Sequence, residues 1–150
     1  MEVRPLTDAQ GGLIASWRYP SRYSTYDVGE IVTAADGYWA VVGEGEELVG
    51  YCCFGQEARV PGVDEEQGTL DIGYGMRPDY VGKGLGRIFV AAIVDFAVDN
   101  FRPQQLRLLI LSWNLRSRKV AEALGFQNTG IARSGERDFL VMTRSAPGLS

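Results

Sequence analysis

Histidine is absent from this chain, and with it go His-based catalytic triads, His-ligated zinc and the commonest general base near neutral pH. Acid–base chemistry falls to carboxylates, tyrosines, hydroxyls, backbone groups or water. Cysteine is nearly absent: Cys52 and Cys53 are adjacent, point to opposite faces of any strand that holds them, and have no third cysteine to pair with. Their expected role is core packing in a reducing compartment. Long apolar runs are missing as well. No stretch approaches the ~20 residues of a membrane span, and an acidic residue at position 2 with no apolar segment after it argues against a secretory signal. A cytoplasmic protein with no membrane partner is expected.

What remains is ordinary for a globular chain: 150 residues, 45% hydrophobic and 23% charged, enough for one domain over residues 1–150 with a core that needs no staples. Charge is unevenly placed. Residues 1–76 hold 4 Lys/Arg against 13 Asp/Glu, whereas residues 77–133 hold 9 against 4. A pI near 4.9 makes nucleic acid a poor partner. An anion site, if there is one, belongs in the basic half.

Glycine is clustered there. Thr69 to Met76 alternates like a strand and ends at Arg77-Pro78, where proline stops the ladder. Beyond the loop, Leu85, Ile88, Phe89, Ala92, Ile93 and Phe96 fall at i, i+3, i+4, i+7, i+8 and i+11, one buried face of a helix. Between them, Gly82-Lys83-Gly84-Leu85-Gly86-Arg87 occupies a helix N-terminus, where amides lack intrahelical partners and the dipole favours negative charge. The segment is neither Gly-x-x-x-x-Gly-Lys-[Ser/Thr] nor Gly-x-Gly-x-x-Gly, because its glycines alternate strictly.

The loop resembles the acetyl-CoA pyrophosphate loop of the GNAT superfamily of N-acetyltransferases, [Gln/Arg]-x-x-Gly-x-[Gly/Ala]. Gly84 and Gly86 match it, and Val81 stands where the family usually has Gln or Arg. A second match follows a buried strand at Leu106 to Leu111: Asn114 opens a helix that ends in Gly125-Phe126, similar to the family's second cofactor segment. The rhythm agrees over residues 69–127. Arg116, Arg118 and Lys119 sit in the first turns of that helix, where the dipole disfavours cations by a few tenths to ~1 kcal/mol each. A bound polyphosphate offsets that penalty; a solvated basic face is the plainer alternative.

The resemblance implies an α/β GNAT fold: a mixed, mostly antiparallel sheet of six to seven strands, splayed at the cofactor site and flanked by about four helices. It implies acetyl-CoA as cosubstrate, no metal, and direct attack of a neutral amine on the thioester. By position, the backbone of Tyr74, Gly75 and Met76 is similar to the strand edge that pairs with the pantetheine amides. Residues 82–87 are similar to the pyrophosphate cradle, and Asn114 to the cofactor-contacting Asn, with Ser117 on the same face. Many relatives place a thiolate-protonating Tyr seven residues after the Asn, but this chain has Ala121. Ser117 then becomes the candidate acid, with a small helix-packing residue as the alternative.

Asp71, on the strand leading to the loop, is the candidate base, directly or through water; otherwise it is a carboxylate on the polar face of a half-buried strand. Glu57 and Glu136 are weaker candidates. Acceptor recognition is expected in the first half, where Trp17, Tyr19, Tyr23 and Tyr26 lie beside Asp27 and Glu30. Ring faces and negative potential suit a cationic amine; the same residues also suit the packed edge of an ordered loop. The acceptor is expected to be a small amine or a peptide amine, with a homodimer left open. The competing function is a noncatalytic acyl-CoA-binding module, which Ala121 permits. A phosphate-binding α/β domain outside the family is a third reading.

The remaining elements follow local signals. Glu2 to Leu6 reads as a strand, Thr7 to Gln10 as a capping box opening a helix through about Trp17, and a short helix is expected from Asp27. A hairpin about Gly43 to Glu46 joins Tyr38–Val42 to Glu47–Gln56. Two strands, near Gln127–Arg133 and Arg137–Thr143, precede a frayed Pro-Gly tail.

Overall fold

A computed structural model describes residues 1–146; the expected Pro-Gly tail lies outside the described residues. The chain forms two compact units, one from Met1–Cys53 with Tyr74–Ile93 and the other from Phe54–Gly73 with Val94 onward. In the first unit, β1 (Glu2–Pro5), β2 (Tyr38–Val42) and β3 (Leu48–Phe54) pair antiparallel in succession. Helix α1 (Asp8–Ser16) opens on the expected capping box: the Gln10 amide donates to Thr7 Oγ1 at 3.1 Å, and the Thr7 amide donates to Gln10 Oε1 at 2.9 Å. Two glycines weaken this helix by about 1 kcal/mol each. One of them is required, since a Cβ on Gly11 would stand 2.0 Å from the Val32 carbonyl oxygen. Leu6, Ile14, Val32, Ala40, Val42 and Leu48 form the core of this unit.

The helix expected from Asp27 is displaced. A 3-10 helix runs over Ser21–Tyr26 and ends at Asp27, whose amide bonds the Ser24 carbonyl. Gly29 follows with φ of 75°, a left-handed conformation that no helix continues through.

In the second unit, β5 (Gln105–Leu111), β6 (Gln127–Ser134) and β7 (Arg137–Ser145) are antiparallel in the order β5-β7-β6, and α3 (Leu115–Ala123) links β5 to β6. Leu106, Leu108, Ile110, Phe126 and Met142 are buried there. Strand β4 (Thr69–Met76) begins in this unit, where it pairs parallel to β5, and ends in the first. The full strand order is β1-β2-β3-β4-β5-β7-β6, the mixed α/β sheet expected. Helices among the described residues are α1, α3, the long α2 (Gly86–Phe101) and short 3-10 turns.

Helix α2 buries a face rotated from the expected one. Phe89, Val90, Ile93, Val94 and Ala97 are buried, whereas Ile88 is 56% exposed. Residues 88–94 are apolar on every side, so two phases of the 3.6-residue period fit the sequence equally. Packing selects between them.

Candidate active site

The glycine loop follows directly from β4. After Met76, Pro78–Tyr80 makes one 3-10 turn, Gly82 and Gly84 take φ of 78° and 79°, and α2 starts at Gly86. A Cβ on either Gly82 or Gly84 would meet nothing within 4 Å, so backbone conformation and not crowding selects glycine here. The Phe89 amide donates to the Leu85 carbonyl at 3.0 Å, the first bond of the helix. The amides of Gly86, Arg87 and Ile88 therefore precede any i−4 carbonyl of α2. Gly82, Lys83, Gly84 and Arg87 are exposed. Open space, orphan amides and two cations together suit a phosphate group.

Upstream, the end of β4 is tightly packed. A Cβ on Gly75 would stand 2.5 Å from the Tyr51 ring, and one on Gly50 would stand 2.5 Å from both the Gly75 carbonyl oxygen and the Phe89 ring. Small residues at both positions let the two rings close over the strands. Tyr74 meets Phe89 edge to face at 5.9 Å. Tyr19 donates its hydroxyl to the Met76 carbonyl oxygen at 2.5 Å, while its amide donates to Asp27 Oδ1 at 2.8 Å. Burial, and secondarily the charge of Asp27, push the Tyr19 phenol above its ordinary pKa. It therefore stays protonated and donating.

The four expected acceptor-site aromatics divide into two groups. Trp17 packs on the first unit's core, its ring 6.4 Å from that of Tyr51, and Tyr19 brackets the end of β4. Tyr23 and Tyr26 lie on the 3-10 helix, half-buried, with ring centroids 6.4 Å apart. The packed-edge reading describes the first pair. The second pair is only half-buried.

In the other unit, Asp71 departs from expectation. It is 1% exposed, and both its carboxylate oxygens are engaged: Arg107 Nε donates to Oδ1 at 2.5 Å and Nη2 to Oδ2 at 3.0 Å, and Arg59 Nη1 donates to Oδ2 at 3.0 Å. Arg107 also donates to the Asp64 carbonyl at 2.8 Å and reaches Glu66 at 3.4 Å. The hydrogen bond to Asp71 is the main cause holding the Arg107 guanidinium above its ordinary pKa. A buried carboxylate forked between two guanidinium groups anchors structure; it is badly placed to take a proton from an amine. Arg107 and Arg59 escaped the sequence reading, although one signal was present. An arginine between Leu106 and Leu108 of a buried strand requires a carboxylate partner.

Asn114 is the N-cap of α3: its Oδ1 accepts the Ser117 amide at 3.1 Å, and the residue is buried. Ser117 is half-buried in the first turn. One turn on, Ala121 is fully buried, so the position where many relatives carry tyrosine is closed by packing. Cys52 and Cys53 are both buried, and burial pushes the Cys52 thiol far above its ordinary value, away from nucleophilic use. Glu57 and Glu136 are exposed. Among the described residues no group of three or more His, Cys, Asp or Glu is placed to hold a metal ion, and no helix is long and apolar enough to cross a membrane.

Residues 7–127 match the family model of the acetyltransferase (GNAT) domain. Curated relatives include an uncharacterized N-acetyltransferase p20 of Bacillus licheniformis, 26% identical over 103 residues, covering 69% of this chain and 54% of the relative. Another is the thialysine N-epsilon-acetyltransferase of Bos taurus, 28% identical over 121 residues, covering 67% and 66%. The chain thus spans between about half and two thirds of the length of these relatives. Among solved structures, the aminoglycoside acetyltransferase AAC(6')-Ib in complex with ribostamycin and coenzyme A superposes with a TM-score of 0.79 at 18% identity, covering 99% of this chain and 96% of that one. A chimera of the spermidine N-acetyltransferase SpeG from Vibrio cholerae and hSSAT gives 0.74 at 14% identity, covering 98% and 97%. At these identities the structural likeness speaks for the fold. The family match speaks for descent: the chain belongs to the GNAT family of acetyltransferase domains.

Proposed function

We propose that this chain, working as one domain over residues 1–150, is an acetyl-CoA-dependent N-acetyltransferase. It transfers an acetyl group to a primary amine of a small molecule or peptide. The observation that carries the reading is the loop at 82–87, where left-handed Gly82 and Gly84 lead exposed backbone into the N-terminus of α2 beside Lys83 and Arg87. That arrangement is a phosphate cradle in a chain of an acetyltransferase family. Relatives and structural neighbours support the acceptor class, since thialysine, spermidine and aminoglycosides all carry amines.

The chemistry is direct attack by the neutral amine on the thioester carbonyl, with the thiolate as leaving group. The buried high-pKa Cys52 argues against a cysteine acyl-enzyme. With Asp71 committed to two arginines, the amine's proton is assigned to water. Ser117 is the side chain assigned to the departing thiolate, and Asn114 supports it as the cap of α3. Tyr23 and Tyr26 are assigned to the acceptor, with Trp17 and Tyr19 as further candidates. Location in the cytoplasm fits the two reduced, buried cysteines. The test is release of free thiol from acetyl-CoA across a panel of primary amines. Amine-dependent release supports transfer; tight CoA binding without release across the panel makes the chain a noncatalytic acyl-CoA-binding module.

A further inference from the structure

The parallel ladder between β4 and β5 is short. It registers Thr69 with Gln105, Leu70 with Leu106 and Asp71 with Arg107, and it ends there, while β4 continues to Met76 and β5 pairs with β7 along its whole length. Two of these three pairs are joined through their side chains: Gln105 Nε2 donates to Thr69 Oγ1 at 3.1 Å, and Arg107 forks onto Asp71. They lie on one face of the sheet, because they are two residues apart, and Leu70 with Leu106 lies on the other. Three apolar pairs would specify such a ladder weakly. A two-residue slip keeps every side chain on its own face, yet it moves the point of departure by about 6.6 Å at about 3.3 Å per residue.

A buried ion pair is a costly means of adding stability, since an apolar pair of similar volume often serves as well or better. What it adds is discrimination: only one register places a carboxylate against the guanidinium, and Arg59 closes the remaining side of Asp71. We propose that Arg107 is a positioning residue for the acetyl transfer. By forking onto Asp71 it fixes where β4 leaves β5, and so which backbone groups of β4, from Ile72 to Met76, are left to meet the pantetheine arm of the cofactor. The inference rests on the acetyl-CoA reading for its function and on the ladder alone for its structural part.

The test uses two variants of the full chain, D71L/R107M and R107K, each followed by thermal melting, CoA calorimetry and peptide-resolved hydrogen exchange. The double variant removes both charges of the fork together; Arg59 loses this carboxylate as well, but its side chain is 17% exposed and not fully buried. It is expected to melt cooperatively, to exchange amides of β4 at least tenfold faster with the β5–β7 ladder unchanged, and to bind CoA at least tenfold more weakly. R107K keeps the charge but loses the fork, and an intermediate effect on both readouts is expected. Wild-type exchange in β4 with wild-type CoA affinity, in either variant that folds, overturns the proposal. R107K keeps the question answerable if the double variant does not fold. If the wild-type chain itself fails to bind CoA, the acetyl-CoA reading falls, and β4 exchange alone decides the register claim: unchanged exchange sinks it and faster exchange sustains it.

Discussion

The phenol of Tyr19 and the carbonyl of Met76, 57 positions apart in sequence, are joined by a 2.5 Å hydrogen bond that fastens the segment after α1 to the last residue of β4. Tyr19→Phe keeps the ring and deletes the donor, leaving a partly buried carbonyl without that partner. A loss of about 1–2 kcal/mol in urea unfolding is expected. Unchanged stability would show that the bond contributes nothing net.

Alkaline pH should expose the buried phenols. Tyr51 is pushed far above its ordinary pKa, chiefly by burial and then by its neighbours Tyr19, Cys53 and Tyr38. The native state therefore keeps protons that the unfolded chain releases near pH 10. Their contribution is fully present below that pH and is lost as pH rises toward the folded pKa, so stability falls with a negative slope. Tyr51→Phe should flatten the decline measured by urea titrations between pH 9 and pH 11. An identical slope in the variant would place the loss elsewhere.

Gly84→Glu tests the cradle. Nothing within 4 Å obstructs a side chain there, so the fold should persist despite a left-handed φ costing about 1–2 kcal/mol. A carboxylate beside bound pyrophosphate should weaken CoA by more than tenfold, above ~1.4 kcal/mol, in calorimetry. Gly84→Ala carries the backbone strain without the charge and separates the two causes. Equal CoA affinity in the Glu variant and the wild type would remove the cofactor from this loop.

The first turn of α3 yields a paired test. Ser117→Ala should lower kcat with little change in either KM, the pattern of a contact made mainly in the transition state; unaltered kcat returns Ser117 to packing. Installing the phenol that many relatives carry, by Ala121→Tyr, should fail as a rescue. Ala121 is 0% exposed, and overpacking of this kind costs about 1–3 kcal/mol or more. A lowered Tm is expected, and a stable variant with raised kcat would mean that the site can open.

Much of this arrangement was legible in the residues themselves. The capping box at Thr7 and Gln10, the Gly43–Glu46 hairpin and the strand, glycine loop and helix from Thr69 onward all rest on local rules, and each element formed. The buried face of α2 is rotated because residues 88–94 are apolar on every side, where only packing chooses the phase; Phe89 and Ile93 are common to both faces. The burial of Asp71 was not legible for a different reason. Its environment depends on a parallel partner 36 positions away and on Arg59 in a preceding loop, and no local pattern encodes that meeting. Asn114 opens the helix as its position suggests, and its side-chain oxygen is occupied as the cap.

The central claim is transfer by direct attack, and a single-turnover experiment with isotopically labelled acetyl-CoA addresses it most directly. Stoichiometric protein, labelled acetyl-CoA and an amine that gives thiol release are mixed, quenched at intervals and examined by mass spectrometry. Direct attack predicts label appearing on the amine in step with free thiol, and none on Cys52, Cys53, Ser117 or any other side chain at any time. Label passing first through the protein, or thiol appearing without acetylated amine, would contradict it.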